Sequence, residues 1–496
     1  MDDESSDYFD ATPRADALIE GLRDFGYTLE TALADVVDNS ITASATEIQI
    51  FAEFNEGSPR ITISDNGIGM NRETLHEVMR PGGRIATAQK GAIDLGRFGL
   101  GMKTAAFSQC TQLTVTSYIK ASPSSAQWDL KQVSASNKWR AKIPKHEHLT
   151  ERARESRDHG TVVVWEDLDR LVEGEGAEVQ QQDFNKKLVS ARSHLELVLH
   201  RFLQREREHK VIKISFNNVP LIPNDPFLPN HPATIKQPVE KIQYHDGTIQ
   251  VRAYTLPHHS KMSTADWEAA GGVRGHTATQ GFYLYRARRL IVHGTWFGMH
   301  RKSASSQLTR IAIDIPTTMD TEWQVNVLKA SARPPLEIRE RLNSLVPSLS
   351  NVSNRVYQNR GTALTDNTKN PLWARNAVHE GISYTINTEH PYIRSYLQSL
   401  APKERKHTQQ LLRVIESGVP LDSLFIDLSN SPTSTHAAHL DTATLTELVT
   451  VMARINQEQG FKWAEIHLLF QTIEPFKTQW DDVKDILESL QKTGSK

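Results

Sequence analysis

Cysteine is nearly missing: Cys110 is the only one in 496 residues. A single thiol excludes an intrachain disulfide and a thiolate-held metal, and it suits a reducing compartment. Long apolar runs are missing too. Hydrophobic residues make up 38% of the chain, but no uninterrupted stretch is long enough to cross a bilayer as a helix. The opening "MDDESSDYFD" is acidic and has neither the basic nor the apolar segment of a secretory signal. These absences lead us to expect a cytoplasmic globular protein without a membrane role. No charge of one sign prevails. A net charge of -2 gives no global attraction to nucleic acid, so any such surface has to be a local patch. A Walker A pattern is absent, which disfavours a P-loop nucleotide fold, and there is no internal repeat.

What is present fits two or three domains. After the acidic tail (1–13), "TPRADALIEGLRDFGY" has the spacing of a short helix. A second helix is predicted from Thr28, a suitable N-cap, to about Ala43, with Leu29, Leu33, Val36, Val37 and Ile41 on its apolar face. "EIQIFAEF" and "RITISDNGIGM" read as strands, the second ending in a glycine turn, and "RETLHEVM" as a helix. "RPGGRIATAQKGAIDLGRFGLG" has no sustained period and leads into the helix "LGMKTAAFSQ". Strands near 111–119, 126–133 and 161–166 would complete a mixed α+β layer with helices on one sheet face. A long helix over 180–204 leads to a second α+β unit. Its strands are "VIKISFNN", "TIQVRAYTL", "GFYLYRARRLIV" and "TRIAIDIP", followed by a helix from Pro335 to Val346. Beyond residue 361 helical spacing dominates.

Within "LADVVDNSI", Asp35 and Asn39 lie one turn apart on one helix face. Polar pairs on amphipathic helices usually face solvent, so the pair alone says little. An amide oxygen is a hard ligand suited to Mg²⁺, however, and a carboxylate one turn earlier can orient or deprotonate a water beside the metal. Two further stretches strengthen that possibility. "DNGIGM" places Asp65 at a strand end, followed by Gly67 and Gly69, whose missing side chains let a ring or phosphate approach the backbone. "GRFGLGMK" sets Gly96, Gly99 and Gly101 before a helix start, where free N–H groups attract anions and Lys103 adds a positive charge. The ordered trio points to a nucleotide bound with Mg²⁺.

At these motifs the chain resembles the GHKL superfamily, the Bergerat-fold ATPases that include gyrase B subunits, MutL, heat-shock chaperones, histidine kinases and MORC proteins. "DVVDN" resembles the superfamily's N-box, which implies Asn39 as Mg²⁺ ligand and Asp35 as general base. "DNGIGM" implies that Asp65 accepts from the adenine amino group, with Gly67, Gly69 and Met70 lining the same turn. "GRFGLGMK" resembles the lid and phosphate box, implying Gly96, Gly99, Leu100, Gly101 and Lys103 as nucleotide contacts. "HGTVVVWEDL" resembles the last box and places Thr161 near adenine and Asp65. One departure stands out: hydrolytic members usually carry glutamate where this chain has Asp35, one methylene shorter.

The resemblance covers roughly residues 14–350 and implies an ATP-binding domain (14–172), an α+β transducer (173–350) and, beyond it, a mainly helical C-terminal region (361–496). Histidine kinases need a phospho-accepting helical hairpin ahead of the ATP domain, and only about a dozen residues precede the first helix, so that branch is not expected. "WQVNVLKASARPP" sits where a transducer loop carries its γ-phosphate lysine, implying a catalytic role for Lys329. "GFYLYRARRLIV" and "ISFNNVPLIPNDPF" look most like MORC proteins and their bacterial relatives, which accompany restriction and anti-phage genes. The basic cluster Arg286, Arg288, Arg289, Arg301 and Lys302, interleaved with Tyr283, Tyr285, Trp296 and Phe297, is the best candidate patch for DNA phosphates. A charged outer face over an aromatic core explains it equally well. Trp373 and His390 read as core or interface residues.

Two functions remain open. One is a slow Mg²⁺-dependent ATPase that closes on ATP, dimerises through its N-terminal domains and clamps DNA or a partner protein of a defence operon. The other is a nucleotide-sensing scaffold with negligible hydrolysis that signals to partner proteins.

Overall fold

Alternating apolar residues in "EIQIFAE" and "RITISD" form two antiparallel strands, β1 (Glu47–Glu53) and β2 (Arg60–Asp65). The computed structural model describes residues 13–83, 101–155, 157–172, 174–205, 209–245, 247–272, 274–326, 331–346, 371–378, 381–421, 423–424, 440–458 and 460–493. The first sheet adds β3 (Gln112–Ile119), β4 (Ser122–Asp129), β5 (His159–Glu166), β6 (Lys213–Phe216) and β7 (Val219–Pro220), in the order β4-β3-β5-β2-β1-β6-β7. Every neighbouring pair is antiparallel except β1 with β6. The sheet therefore takes two strands from beyond residue 172.

Helices α1 (Ala15–Arg23), α2 (Leu29–Thr42), α3 (Arg72–Met79) and α4 (Gly101–Gln109) precede β3. Helix α2 starts where the sequence places it. The Thr28 hydroxyl accepts from the Thr31 N–H and the Thr31 hydroxyl from the Thr28 N–H, a reciprocal cap. Its apolar stripe Leu29, Leu33, Val36, Val37 and Ile41 is buried throughout, each side chain contributing about 1.5–3 kcal/mol. The strand expected over 126–133 is corrected. Strand β4 stops at Asp129, whose carboxylate caps α5 (Leu130–Ser136) by accepting from the Gln132 N–H. Alternation in β5 sends Val163 and Trp165 into the main core. Val162 and Val164 go to the opposite face, against Leu149 and Ala153, the latter in α6 (Glu151–Arg154). The long helix is α7 (Ala177–Val198), continued by α8 (His200–Leu203).

The second sheet comprises β8 (Ile235–Lys236), β9 (Glu240–Tyr244), β10 (Gly247–Thr255), β11 (Gly281–Arg286), β12 (Arg289–Thr295) and β13 (Thr309–Ile315), ordered β12-β11-β13-β10-β8 with β9 on β10. "GFYLYRARRLIV" is thus a hairpin and not one strand. Ala287 and Arg288 turn it with φ of 45° and 70°, the left-handed region that Gly and Asn normally supply. Without those residues, the turn leaves no mark in the sequence. Tyr283, Tyr285, Leu290 and Ala312 of this sheet belong to the same buried cluster as α2 and the first sheet.

Both sheets lie in one compact unit, Met1–Leu256, Ala278–Lys302 and Leu308–Pro347. A second unit, Pro257–Thr277, Ser303–Gln307 and Ser348–Lys496, is mainly helical with a hairpin of β14 (Trp373–Val378) and β15 (Gly381–Ile386). Its own core gathers Leu445, Val449, Phe470, Phe476, Val483 and Leu487. His390 is buried there, its Nε2 3.0 Å from the Glu474 carbonyl. Among the described residues, no helix is long and apolar enough to cross a membrane.

Candidate functional site

Strand β2 ends on Asp65, which is 7% exposed and stands opposite Thr161 in β5. Its Oδ2 accepts from the Ser40 hydroxyl at 2.8 Å and its Oδ1 from the Gly67 N–H at 2.8 Å. Burial pushes the Asp65 carboxyl above its ordinary value, and these donors offset part of that rise. Thr161 is opposite Ser117 in β3, and their hydroxyls are 2.9 Å apart. Ser117 also accepts from the Met70 N–H at 2.8 Å. One serine therefore ties Met70 to Thr161, next to the carboxylate.

The glycines of this turn are explained by the chain itself. A Cβ at Gly67 would lie 2.8 Å from the Ala43 carbonyl oxygen, and one at Gly69, where φ is +70°, only 2.0 Å from that of Tyr118. Their missing side chains admit neighbouring backbone, so the fold itself requires glycine at both positions. Gly160 serves the same end from β5, since a Cβ there would lie 2.1 Å from the Asp65 carbonyl oxygen.

On α2 the expected pair divides by burial. Asp35 is 3% exposed, and the Tyr27 hydroxyl donates to its Oδ2 at 2.6 Å. Burial and the nearby carboxylate raise the Tyr27 phenol above its usual value, so it stays a donor. The start of α4 lies alongside: a Cβ at Gly101 would be 3.3 Å from Asp35 Oδ2. Asn39 is the exposed member. One held carboxylate and one accessible amide oxygen form a sparse, hard donor set. That composition fits Mg²⁺, which completes its shell with waters and substrate phosphates.

Lys103 departs from expectation. Its ammonium is buried and donates to the Val78 carbonyl at 2.5 Å, and loss of water pushes its pKa down to about 8. The positive charge anticipated at the turn is therefore engaged at the end of α3. Gly96, Gly99, Leu100 and Lys329 lie outside the described residues. The basic patch is also revised. Arg286 and Arg289 are buried in ion pairs with Asp320 and Asp38, and Arg288 donates to the Arg201 carbonyl. Arg301 and Lys302 remain exposed, with Lys302 donating to the Ala278 carbonyl.

Residues 27–161 match the family model described as histidine kinase-, DNA gyrase B-, and HSP90-like ATPase. This match supports the GHKL superfamily. The matched segment starts on Tyr27, which holds Asp35, and ends on Thr161, opposite Asp65. Members of this superfamily are ATPases in general, so the GHKL-type domain supports ATP binding and, at that coarse level, hydrolysis. No curated protein matches the chain. Within the GHKL-type domain, sequence reasoning missed Tyr27, Ser40 and Ser117. Ser40 directly follows Asn39 in "DNSI" and was within reach; Tyr27 in "DFGYTLE" and Ser117 in "TVTSYIK" belong to no local pattern that marks them.

Proposed function

We propose that the protein is an Mg²⁺-dependent ATPase in which Asp65 accepts a hydrogen bond from the adenine amino group, Asn39 ligates the metal and Asp35 takes the proton of the attacking water. The observation that carries this reading is Asp65, a buried carboxylate held on both oxygens by 2.8 Å donors and facing Thr161 where two interior strands of the sheet meet its end. Both oxygens retain acceptor capacity after those bonds. When bound, Mg²⁺ would neutralise phosphate charge and polarise the bond to be broken. Tyr27 holds the Asp35 carboxylate through Oδ2. The short aspartate reach accords with slow turnover.

The finer part of the proposal is ATP-dependent dimerisation of a MORC-like protein acting with partners of a defence system, and it rests on the resemblance of the motifs. The alternative is a nucleotide-sensing scaffold without turnover. Of the candidate basic patch only Arg301 and Lys302 are exposed, and two cations are too few to neutralise a run of phosphates there. Phosphate release together with light scattering tests both readings. ATP should be hydrolysed, and a non-hydrolysable analogue, unlike ADP, should double the mass. Binding without turnover would select the scaffold, and equal masses with both nucleotides would remove the dimer.

The raised pKa of Asp65 gives a second test. A carboxyl with a raised folded pKa binds protons more readily folded than unfolded, so stability rises as pH falls through that pKa. Adenine recognition needs the ionised acceptor and runs the other way. ATP affinity should therefore weaken as pH falls from neutral, beginning above the ordinary carboxylate range, while this group's contribution to Tm increases. Fluorescent-nucleotide titrations on the wild type and Asp65→Asn check it, since the variant should bind weakly at every pH. A wild-type affinity that stays flat down to the ordinary carboxylate range would remove Asp65 as the adenine reader.

A further inference from the structure

Helix α2 carries a third polar group between the two assigned roles. Asp38 follows Asp35 by three residues and directly precedes Asn39, yet it is fully buried. Its Oδ1 accepts from Nε of Arg289 at 3.0 Å, and the Arg289 side chain is only 5% exposed. The partners are 251 residues apart and link the helix of the proposed site to the first residue of β12 in the second sheet.

The hairpin that presents Arg289 is held from several sides. Arg286 makes a two-pronged bond to Asp320, at 2.6 and 2.7 Å. Arg288 donates to the Arg201 carbonyl, its guanidinium lying 4.9 Å from the Phe202 ring centre. Arg289 itself donates a second bond, Nη1 to the Leu290 carbonyl, at 2.8 Å. In this turn Ala287 and Arg288 hold left-handed φ values without being glycine, a conformation that strains an L side chain. Strain of this kind persists where the surroundings over-determine it. The arginines supply that determination and hold the Arg289 fork against α2.

Geometry gives the link a use. Successive residues of a helix are rotated by about 100°, so a group fixed at Asp38 also fixes the directions of Asp35 and Asn39. A buried ion pair is weak evidence for stability, because apolar residues of similar size serve as well. Its distinctive property is direction. The planar guanidinium, anchored at both Nε and Nη1, meets the carboxylate in one orientation. Resting on the ATPase reading above, we propose that Arg289 is a positioning residue. Through Asp38 it sets the rotation of α2, and so makes turnover at Asp35 and Asn39 depend on the second sheet.

Arg289→Met alone strands a buried carboxylate and is expected to fold poorly. The informative variant is the double Asp38→Leu/Arg289→Met, which removes both charges, with Arg289→Lys as the conservative control. For each, kcat, KM, Tm and the Kd of a non-hydrolysable ATP analogue are measured. The double variant should keep a near-wild-type Tm but lose about tenfold to a hundredfold in kcat, the penalty of misplacing reacting groups, with a smaller rise in analogue Kd because Asn39 turns with α2. Arg289→Lys should recover part of that loss. A double variant with wild-type kcat overturns the proposal, as does one in which Tm falls and affinity drops as far as kcat. A wild type that neither binds nor hydrolyses ATP overturns the ATPase reading instead. In that case hydrogen exchange without nucleotide decides the link. The double variant should speed exchange of amides 35–42 and spare those of 103–109, and unchanged rates at 35–42 would overturn it.

Discussion

Asp35→Asn should bind ATP as the wild type does and lose its hydrolysis. The amide keeps the size of the carboxylate and can still accept from the Tyr27 hydroxyl, which now sits 2.6 Å from Oδ2, so the packing of α2 against α4 is preserved. The amide cannot take a proton. General-base assistance contributes about 10²–10⁴ in rate, and kcat should fall by that factor with little change in nucleotide Kd. Tyr27→Phe gives the companion result. It removes the hydroxyl that orients Asp35 but leaves the base, so kcat should fall by less. Phosphate release under saturating ATP, alongside fluorescent-nucleotide binding, separates the two. Wild-type turnover in Asp35→Asn would mean that another group, or water alone, carries the proton.

The other large effect is expected at Gly69. An alanine there would have to adopt φ near +70° and place its Cβ 2.0 Å from the Tyr118 carbonyl oxygen. The left-handed conformation alone costs about 1–2 kcal/mol. The collision adds to it because the obstacle is backbone in the middle of a sheet, and the total should reach about 3 kcal/mol or more. Relief requires the turn to move off β3, which breaks the bond from the Met70 N–H to Ser117 and the alignment of Thr161 with Asp65. Tm and nucleotide affinity should fall together. Gly26→Ala is the control: φ is +83° but nothing lies within 4 Å of the added methyl. It should lower Tm modestly and leave affinity unchanged. Equal effects at the two glycines would show that only the backbone conformation matters.

The local features of the site were legible for local reasons. Helix α2 has a threonine cap and an unbroken apolar stripe, and β2 alternates up to Asp65, so Asp35, Asn39 and Asp65 fall on their elements by pattern alone. Groups joined across the fold were not. Asp38 reads as one more polar residue of an amphipathic helix until Arg289 arrives from 251 residues away. The same blindness produced the basic patch: in sequence, Arg286 and Arg289 are unpaired cations, and only the tertiary structure brings Asp320 and Asp38 to them. Lys103 follows the same course. Its place in the first turn of α4 is as expected, but a long flexible stem lets the ammonium reach the Val78 carbonyl. The hairpin at Ala287 was hidden because its turn uses alanine and arginine where composition normally signals with glycine.

The parallel pairing of β1 with β6 bears on how this protein emerges from the ribosome. Strand β1 lies inside the stretch that matches the ATPase family, but its outer edge is covered by residues 213–217. The carboxamide of Asn217 then closes the end of β1, accepting from the Ala52 N–H at 2.8 Å and donating to the Ala52 carbonyl at 3.1 Å. Until that segment has been synthesised, the nascent chain presents an open strand edge, the kind of template that recruits other strands. A gene fragment ending at Leu203, which keeps β1 to β5 whole, would make the vulnerability permanent, and its product should aggregate during expression, whereas one extended past Pro220 should have that edge covered.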